Sequence, residues 1–149
     1  MAVLTSVHAI GSQAMTSQTG GCACGRVRYE LTGPPTRMFN CHCRDCQRAS
    51  GSAYAAILIA PAENVRLTGE LRYHTVTSER GTRTERGFCP SCGSPVAGKL
   101  GARHDLMFLQ AASLDAPSLF SPQMNIWTRS AAPWDHLDPK LPSFETRAG

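Results

Sequence analysis

The chain has 149 residues, the size of one ordinary domain, and 42% of them are hydrophobic while 17% are charged. This balance excludes a disordered tail and allows a buried core. The formal net charge is +4, a mild excess that suits a small anionic ligand at least as well as nucleic acid. No apolar stretch approaches the roughly 20 residues that span a bilayer. We therefore expect neither a nucleic-acid partner nor a membrane.

The N-terminal region contains no structural or targeting pattern. The first 20 residues lack Lys and Arg and the long apolar block of a secretory leader, so we expect no export. Residues 1–19 are predicted to be a flexible N-terminal arm, and residues 20–149 a single metal-binding domain. Seven cysteines without a leader favour reduced thiols in the cytoplasm, and their odd number argues against a complete disulfide framework.

Strand patterns dominate after the arm. Residues 26–31 (RVRYEL) alternate between polar and apolar, as a half-buried strand does. Residues 53–60 (AYAAILIA) form an apolar run typical of a buried strand. Residues 65–67 and 71–76 alternate again, and a tight turn is predicted between them at 68–70.

The second half of the chain adds few further elements. Residues 82–88 and 106–109 are predicted strands, and the one helical turn lies earlier, around 43–49. The tail from residue 113 is rich in proline and aromatic residues and is expected to wrap the surface. No internal repeat or linker divides the chain. The fold class is therefore predicted to be mainly β.

The seven cysteines fall into three clusters. Residues 89–93 (CPSCG) have the form of a zinc knuckle, a tight turn whose backbone N–H groups point at the thiolates and favour their ionisation. Zinc prefers four ligands in a tetrahedron. Pairing this knuckle with the CAC cluster predicts one closed, structural zinc site that tethers the start of the chain to its middle: Cys22, Cys24, Cys89 and Cys92.

The third cluster predicts a different kind of site. Cys43 and Cys46 share one face of a helical turn, and Cys41 can reach the same ion from the preceding loop. Three protein ligands leave a fourth position open, as in catalytic zinc sites. Two alternatives stay open: two of the thiols could form a disulfide, or a histidine could complete the site, the candidates being His42 (sterically poor), His74 and His104.

Polar residues around the third cluster are candidates for contacting a substrate. Arg44 or Arg48 could pair with a carboxylate of a ligand, although both could equally face solvent or pair with Asp45. Trp127 and Trp134 could floor a pocket or belong to the core. The candidate substrate-binding residues are Arg44, Gln47, Arg48 and Ser52. Residues 50–52 (SGS) could supply hydrogen-bond donors near the metal, or could merely turn the chain into the next strand.

Three motifs together resemble a known family. Residues 20–30 (GGCACGRVRYE), 41–52 (CHCRDCQRASGS) and 88–95 (FCPSCGSP) look like those of the glutathione-dependent formaldehyde-activating (GFA) family, which also includes centromere protein V. The resemblance extends from about Gly20 to Phe144. It implies a zinc-clasped β-tent of small antiparallel sheets with few helical turns. It also implies the same division of the cysteines between a structural zinc and a second zinc.

The resemblance implies a carbon–sulfur lyase that condenses glutathione with formaldehyde to S-(hydroxymethyl)glutathione. A substrate thiol would bind the open zinc position and lose its proton there. The alternative is a non-catalytic binding or carrier module for glutathione or a protein partner. A methionine sulfoxide reductase would need a cysteine beyond the metal ligands, and none remains. The sequence leaves open the true substrate and whether the chain forms a homodimer.

Overall fold

The structure is a computed structural model that describes residues 16–78 and 80–148. The mainly β prediction is confirmed: these residues form ten strands, one α-helix and four 3-10 turns. The predicted arm ends early, since its residues 18 and 19 open β1, while residues 1–15 lie outside the described chain. In chain order the elements are β1 (Gln18–Gly21), β2 (Arg28–Leu31), β3 (Arg37–Cys41), α1 (Arg44–Ser50), β4 (Ala55–Pro61), β5 (Val65–Thr68), β6 (Arg72–Thr77), β7 (Arg83–Phe88), β8 (Pro95–Leu100), β9 (Arg103–Gln110) and β10 (Asn125–Ile126).

The strands form two sheets. A three-stranded sheet has the order β1-β2-β5, and a seven-stranded sheet has the order β10-β3-β4-β9-β8-β7-β6. The pairs are antiparallel except for the two-residue pairing of β10 with β3, which is parallel. The expected antiparallel sheets are thus present, but the seven-stranded sheet has more strands than the small sheets that were expected.

The turn at 68–70 does not join neighbouring strands. β5 pairs with β2, whereas β6 pairs with β7, so the two strands flanking this turn belong to different sheets. Gly69 has φ +88°, and a Cβ there would lie 2.2 Å from the carbonyl oxygen of Arg26. The turn is therefore packed against the β1–β2 connection, a long-range contact that the local sequence pattern does not reveal.

Apolar side chains cover both faces of the seven-stranded sheet. On one face, Leu58 and Leu109 belong to the core cluster shared with the three-stranded sheet. On the other face, Ile57, Ile59 and Phe108 form a second cluster together with Cys41 and Cys46. Because both faces are buried, β4 reads as a continuous apolar run rather than an alternating one.

The tail after β9 runs along the molecule as predicted and places β10 beside β3. Buried Asn40 and Asn125 join the two strands, with 3.2 Å between Nδ2 of Asn40 and Oδ1 of Asn125. This pairing carries the tail past the end of β3, where Cys41 lies. None of the helices in the described part of the chain is long and apolar enough to cross a membrane.

Candidate metal centres

The first group of cysteines lies where the two sheets meet. Cys22 and Cys24 are in the β1–β2 connection, and Cys89 and Cys92 are in the β7–β8 turn. All four sulfur atoms lie within 4.8 Å of one another, with 3.5 Å from Cys22 to Cys24 and 3.7 Å from Cys24 to Cys89. A tetrahedral zinc with Zn–S bonds of about 2.3 Å separates its sulfurs by about 3.8 Å. These four side chains therefore fit a zinc ion as they stand.

Two similar turns present these four sulfurs. In each turn a glycine with positive φ follows the second cysteine, Gly25 at +79° and Gly93 at +77°. This backbone aims N–H groups inward: the N–H of Val27 donates to Sγ of Cys22 at 3.2 Å. The Ser94 hydroxyl and backbone N–H groups lower the pKa of Cys92 to about 5. The turns therefore favour the thiolates that bind metal at Cys22 and Cys92, whereas burial and the neighbouring thiols raise the pKa of Cys24 to about 11.

The second group is local in sequence. Cys41 ends β3, Cys43 is the N-cap of α1, and Cys46 lies in its first turn. The three sulfurs lie within 4.8 Å of one another, and the N–H of Cys46 donates to Sγ of Cys43 at 3.4 Å. Hydrogen bonds from the other two thiols lower the pKa of Cys43, and the same bonds raise that of Cys41.

No histidine or carboxylate of residues 16–78 and 80–148 joins the trio as a fourth ligand. The buried His42 ring turns away from it, with Nε2 at 3.2 Å from Oδ2 of Asp135 and the ring centroid 5.1 Å from that of Tyr54. His74 and His104 are exposed on β6 and β9. The trio therefore presents three sulfurs, and its remaining side faces a cleft.

The cleft over the trio has a volume of about 560 Å³. It includes a guanidinium in contact with the trio: Nη2 of Arg86 lies 3.4 Å from Sγ of Cys46. The Nε atom of Arg86 is buried and has no hydrogen-bond partner among the described residues. The charged residues that line the cleft are five arginines and one carboxylate: Arg44, Asp45, Arg48, Arg80, Arg86 and Arg147. A cleft of this charge favours an anionic ligand.

Only some of the residues predicted to contact a substrate line the cleft. Arg44 and Arg48 line the cleft, as does Trp127. Gln47 is buried instead, and its amide donates to the carbonyl oxygens of His42 and Ser130, both at 2.7 Å. Ser52 is exposed after α1 and does not line the cleft, and the N–H of Ser52 donates to Ser50.

Several cleft residues were not found from the sequence. Arg86, Arg80 and Arg147 come from β7, the β6–β7 turn and the C-terminal tail, and sheet order alone brings them to the trio. The sequence offers one local signal for this set: Arg86 is a charged residue within a predicted strand, three positions before Cys89. Trp134 also differs from expectation, since it is 68% exposed and lies outside the cleft.

Comparison with known proteins identifies the fold and the family of the chain. The fold is similar to that of a Rhodobacter sphaeroides protein in a crystal structure, with a TM-score of 0.53 and 17% sequence identity over 85% of this chain and 98% of that one. At this identity the likeness concerns the fold alone. Residues 17–130 match the family described as glutathione-dependent formaldehyde-activating enzyme, a span that includes all seven cysteines. The chain therefore belongs to the glutathione-dependent formaldehyde-activating enzyme family.

Proposed function

We propose that the protein is a zinc-dependent enzyme of the carbon–sulfur lyase type, which joins glutathione and formaldehyde into S-(hydroxymethyl)glutathione or acts on a related small thiol. One observation carries the proposal: three sulfurs without a fourth described ligand lie at an arginine-lined cleft. Membership of the family supports glutathione as the thiol. All seven thiols are free, which suits a reducing compartment, so we assign the reaction to the cytoplasm.

In this proposal the two cysteine groups have different roles. The four-sulfur group holds a structural zinc, while the trio holds a second, exchangeable zinc. Zinc at the trio supplies an open position that lowers the pKa of a bound thiol. Arg86, beside Cys46, offsets the negative charge that gathers on the sulfurs. Arg44 and Arg48, on α1 at the cleft, bind the carboxylates of the thiol substrate.

Other residues of the cleft limit the access of water and transfer a proton. The apolar cluster that includes Cys41 and Cys46 limits access of water to the sulfurs. Holding thiol and carbonyl together accelerates a bimolecular addition through proximity. The addition forms an S–C bond, opens the C=O double bond and leaves the thiol proton on oxygen. Asp45 is the one carboxylate among the described lining residues, and we assign it the transfer of that proton.

A carrier that binds thiols reversibly without turnover is the second candidate function. The same three sulfurs favour it, because three thiolates leave a zinc ion with a net negative charge and weak Lewis acidity. Such a site exchanges ligands more readily than it polarises a carbonyl. The two candidates agree on thiol binding and differ on turnover.

Exchange spectroscopy by NMR on mixtures of glutathione and formaldehyde separates these candidates, since the condensation also proceeds unaided. We expect the zinc-loaded protein to accelerate exchange between free and adduct forms above the unaided rate. Cys43→Ser should return the rate to the unaided value while the fold is retained. If the native protein does not change the rate but still binds glutathione, the enzyme proposal fails and the carrier remains.

A further inference from the structure

The cleft at the trio has an apolar wall as well as its arginines. Seven apolar residues of this wall pack in the same hydrophobic cluster as Cys41 and Cys46, so the apolar surface is continuous with the sulfurs: Phe39, Ile57, Ile59, Leu100, Phe108, Ile126 and Trp127. Glutathione is polar along its whole length and carries two carboxylates, which the arginines suit. It offers nothing to cover this wall.

Formaldehyde does not account for the wall either. It adds one carbon to the thiol, whereas the cleft has about 560 Å³. Sites of roughly 300–1,000 Å³ accommodate ligands of drug size, with apolar lining and a few polar groups that fix orientation. Glutathione is itself a ligand of this size, so the volume alone does not decide the substituent. The apolar surface beside the sulfurs indicates a substituent larger and more apolar than the one carbon of formaldehyde.

Trp127 is the most constrained part of the wall. It has φ 59° and ψ 35°, and it is the one residue other than glycine with positive φ in the described chain. Its backbone N–H donates to the carbonyl oxygen of Thr146 at 2.8 Å, and its ring lies 5.9 Å from the Arg80 guanidinium and 5.1 Å from that of Arg129. A large side chain held in a disfavoured backbone conformation at a cleft is typical of a functional position.

We propose that the carbonyl substrate of this site is an apolar aldehyde larger than formaldehyde, whose hydrocarbon group lies on Trp127 and Ile126 while the carboxylates of the thiol meet the arginines. This inference rests on the proposed function and names its substrate class. The sulfur forms a bond to the aldehyde carbon, the C=O double bond opens, and the thiol proton ends on the oxygen. The product is a hemithioacetal, an S-(1-hydroxyalkyl) derivative of the thiol, and no oxidant or reductant is needed.

Binding of S-methylglutathione and S-hexylglutathione, measured by calorimetry, tests the wall without chemistry. Neither compound has a free thiol, so neither can react. Each methylene buried from water strengthens binding by up to about fourfold, so we expect S-hexylglutathione to bind at least about tenfold more tightly. Trp127→Asn should reduce this ratio to within about threefold, because Asn tolerates the left-handed backbone but removes the ring.

The same substitution at the other tryptophan is the control. Trp134→Asn, at an exposed position outside the cleft, should keep the native ratio. If Trp127→Asn does not fold, Ile126→Thr, which keeps a β-branched residue in β10, should lower the ratio instead. Equal affinity of the two compounds for the native protein, no binding of either, or a ratio unchanged in the wall variants would overturn the inference.

The outcome is separable from that of the proposed function. A tenfold ratio in a protein that does not accelerate glutathione–formaldehyde exchange supports the apolar substrate class while removing formaldehyde as a substrate. Accelerated exchange in a protein that binds both compounds equally supports the proposed function and rejects the larger aldehyde.

Discussion

Arg86 connects the chemistry of the trio to that of the cleft. It extends from the middle of β7 and places Nη2 at 3.4 Å from Sγ of Cys46. A zinc ion with three thiolates carries one net negative charge, and a bound substrate thiolate adds a second. Charge of this kind in a partly apolar site is costly unless a partner of opposite sign is close. The guanidinium therefore favours the thiolate-bound state over the unbound one.

Arg86→Gln should weaken binding of glutathione to the cobalt-substituted protein by about 10- to 100-fold, the loss expected from one hydrogen bond to a charged group. Arg86→Lys should recover part of the affinity, since it keeps the charge but not the fork of donors. Arg83→Gln, an exposed change on the same strand and outside the cleft, is the control. An affinity for Arg86→Gln equal to that of the native protein would show that Arg86 has no such role.

At the scale of residues, the metal-binding cysteine groups could be predicted from the sequence, but the residues that contact them could not. Ligand spacing in a reduced chain indicates metal groups directly, because each pair or trio is local. Arg86 next to Cys46, and Asp135 next to His42, are contacts between distant parts of the chain. No local pattern encodes them, and they follow only once the strand order is known.

At the scale of elements, the tail strand β10 is a support for the trio. The backbone N–H of His42 donates to the carbonyl oxygen of Ile126 at 2.9 Å, which continues the pairing of β3 with β10 into the loop between Cys41 and Cys43. The Gln47 amide then bridges the same loop and the tail through His42 and Ser130. Two carbonyl groups thus depend on one side chain of α1 for their hydrogen bonds.

Gln47→Leu keeps the volume of the side chain and removes both donors. We expect it to lower the free energy of unfolding by about 1–3 kcal/mol, because it leaves buried carbonyls unpaired. It should also accelerate loss of cobalt from the trio to a chelator. Lys140→Leu, at an exposed tail position, should change stability by no more than about 0.5 kcal/mol. Cobalt release at the native rate from Gln47→Leu would contradict the supporting role of the tail.

A second junction links the three-stranded sheet to the chain after β9. The Asp115 carboxylate accepts from Arg28 Nη1 at 3.0 Å and from the Thr19 hydroxyl at 2.6 Å. The hydrogen bonds from Arg28 and then Thr19 hold the pKa of Asp115 below its ordinary value of 3.8. A lowered folded-state pKa stabilises the fold above the unfolded value and stops doing so as pH falls through the folded value.

Asp115→Asn should therefore lower the Tm at neutral pH, and the deficit relative to the native protein should shrink as the pH is brought below 3.8. Thermal unfolding of both proteins at each pH gives the difference directly. A deficit that stays constant over this range would mean that the carboxylate charge is not what stabilises the junction.

Element order was less predictable than element type. The predicted strands are present. However, β5 and β6, which one turn connects, belong to different sheets, and β10 pairs in parallel with β3. Alternation reports which face of a strand is buried, not which strand lies beside it. Because the cleft is built from β3, β7 and the tail, its shape was beyond sequence reasoning.

For the whole molecule, the two cysteine groups differ in what they connect. The four-sulfur group joins the β1–β2 connection of one sheet to the β7–β8 turn of the other, so metal there closes a long loop of chain. The trio lies on the opposite face of the seven-stranded sheet, within one local segment of chain. Metal at the first group should therefore be coupled to folding more strongly than metal at the trio.

Cys89→Ser should abolish the cooperative thermal transition seen by circular dichroism, because the two sheets would lose the metal that we propose they share. Cys43→Ser should keep that transition and lose only the zinc of the trio, which elemental analysis would show as a fall from two ions per chain to one. Equal damage from both substitutions would contradict the division into a structural and an exchangeable site.

The most direct test of an exchangeable metal position is a glutathione titration of the protein with cobalt in both sites, followed by visible absorption. The account predicts that the bands of one cobalt ion shift saturably as the substrate thiol enters its fourth position, while those of the other stay unchanged and Cys43→Ser removes the response. A spectrum that glutathione leaves unaltered would contradict it.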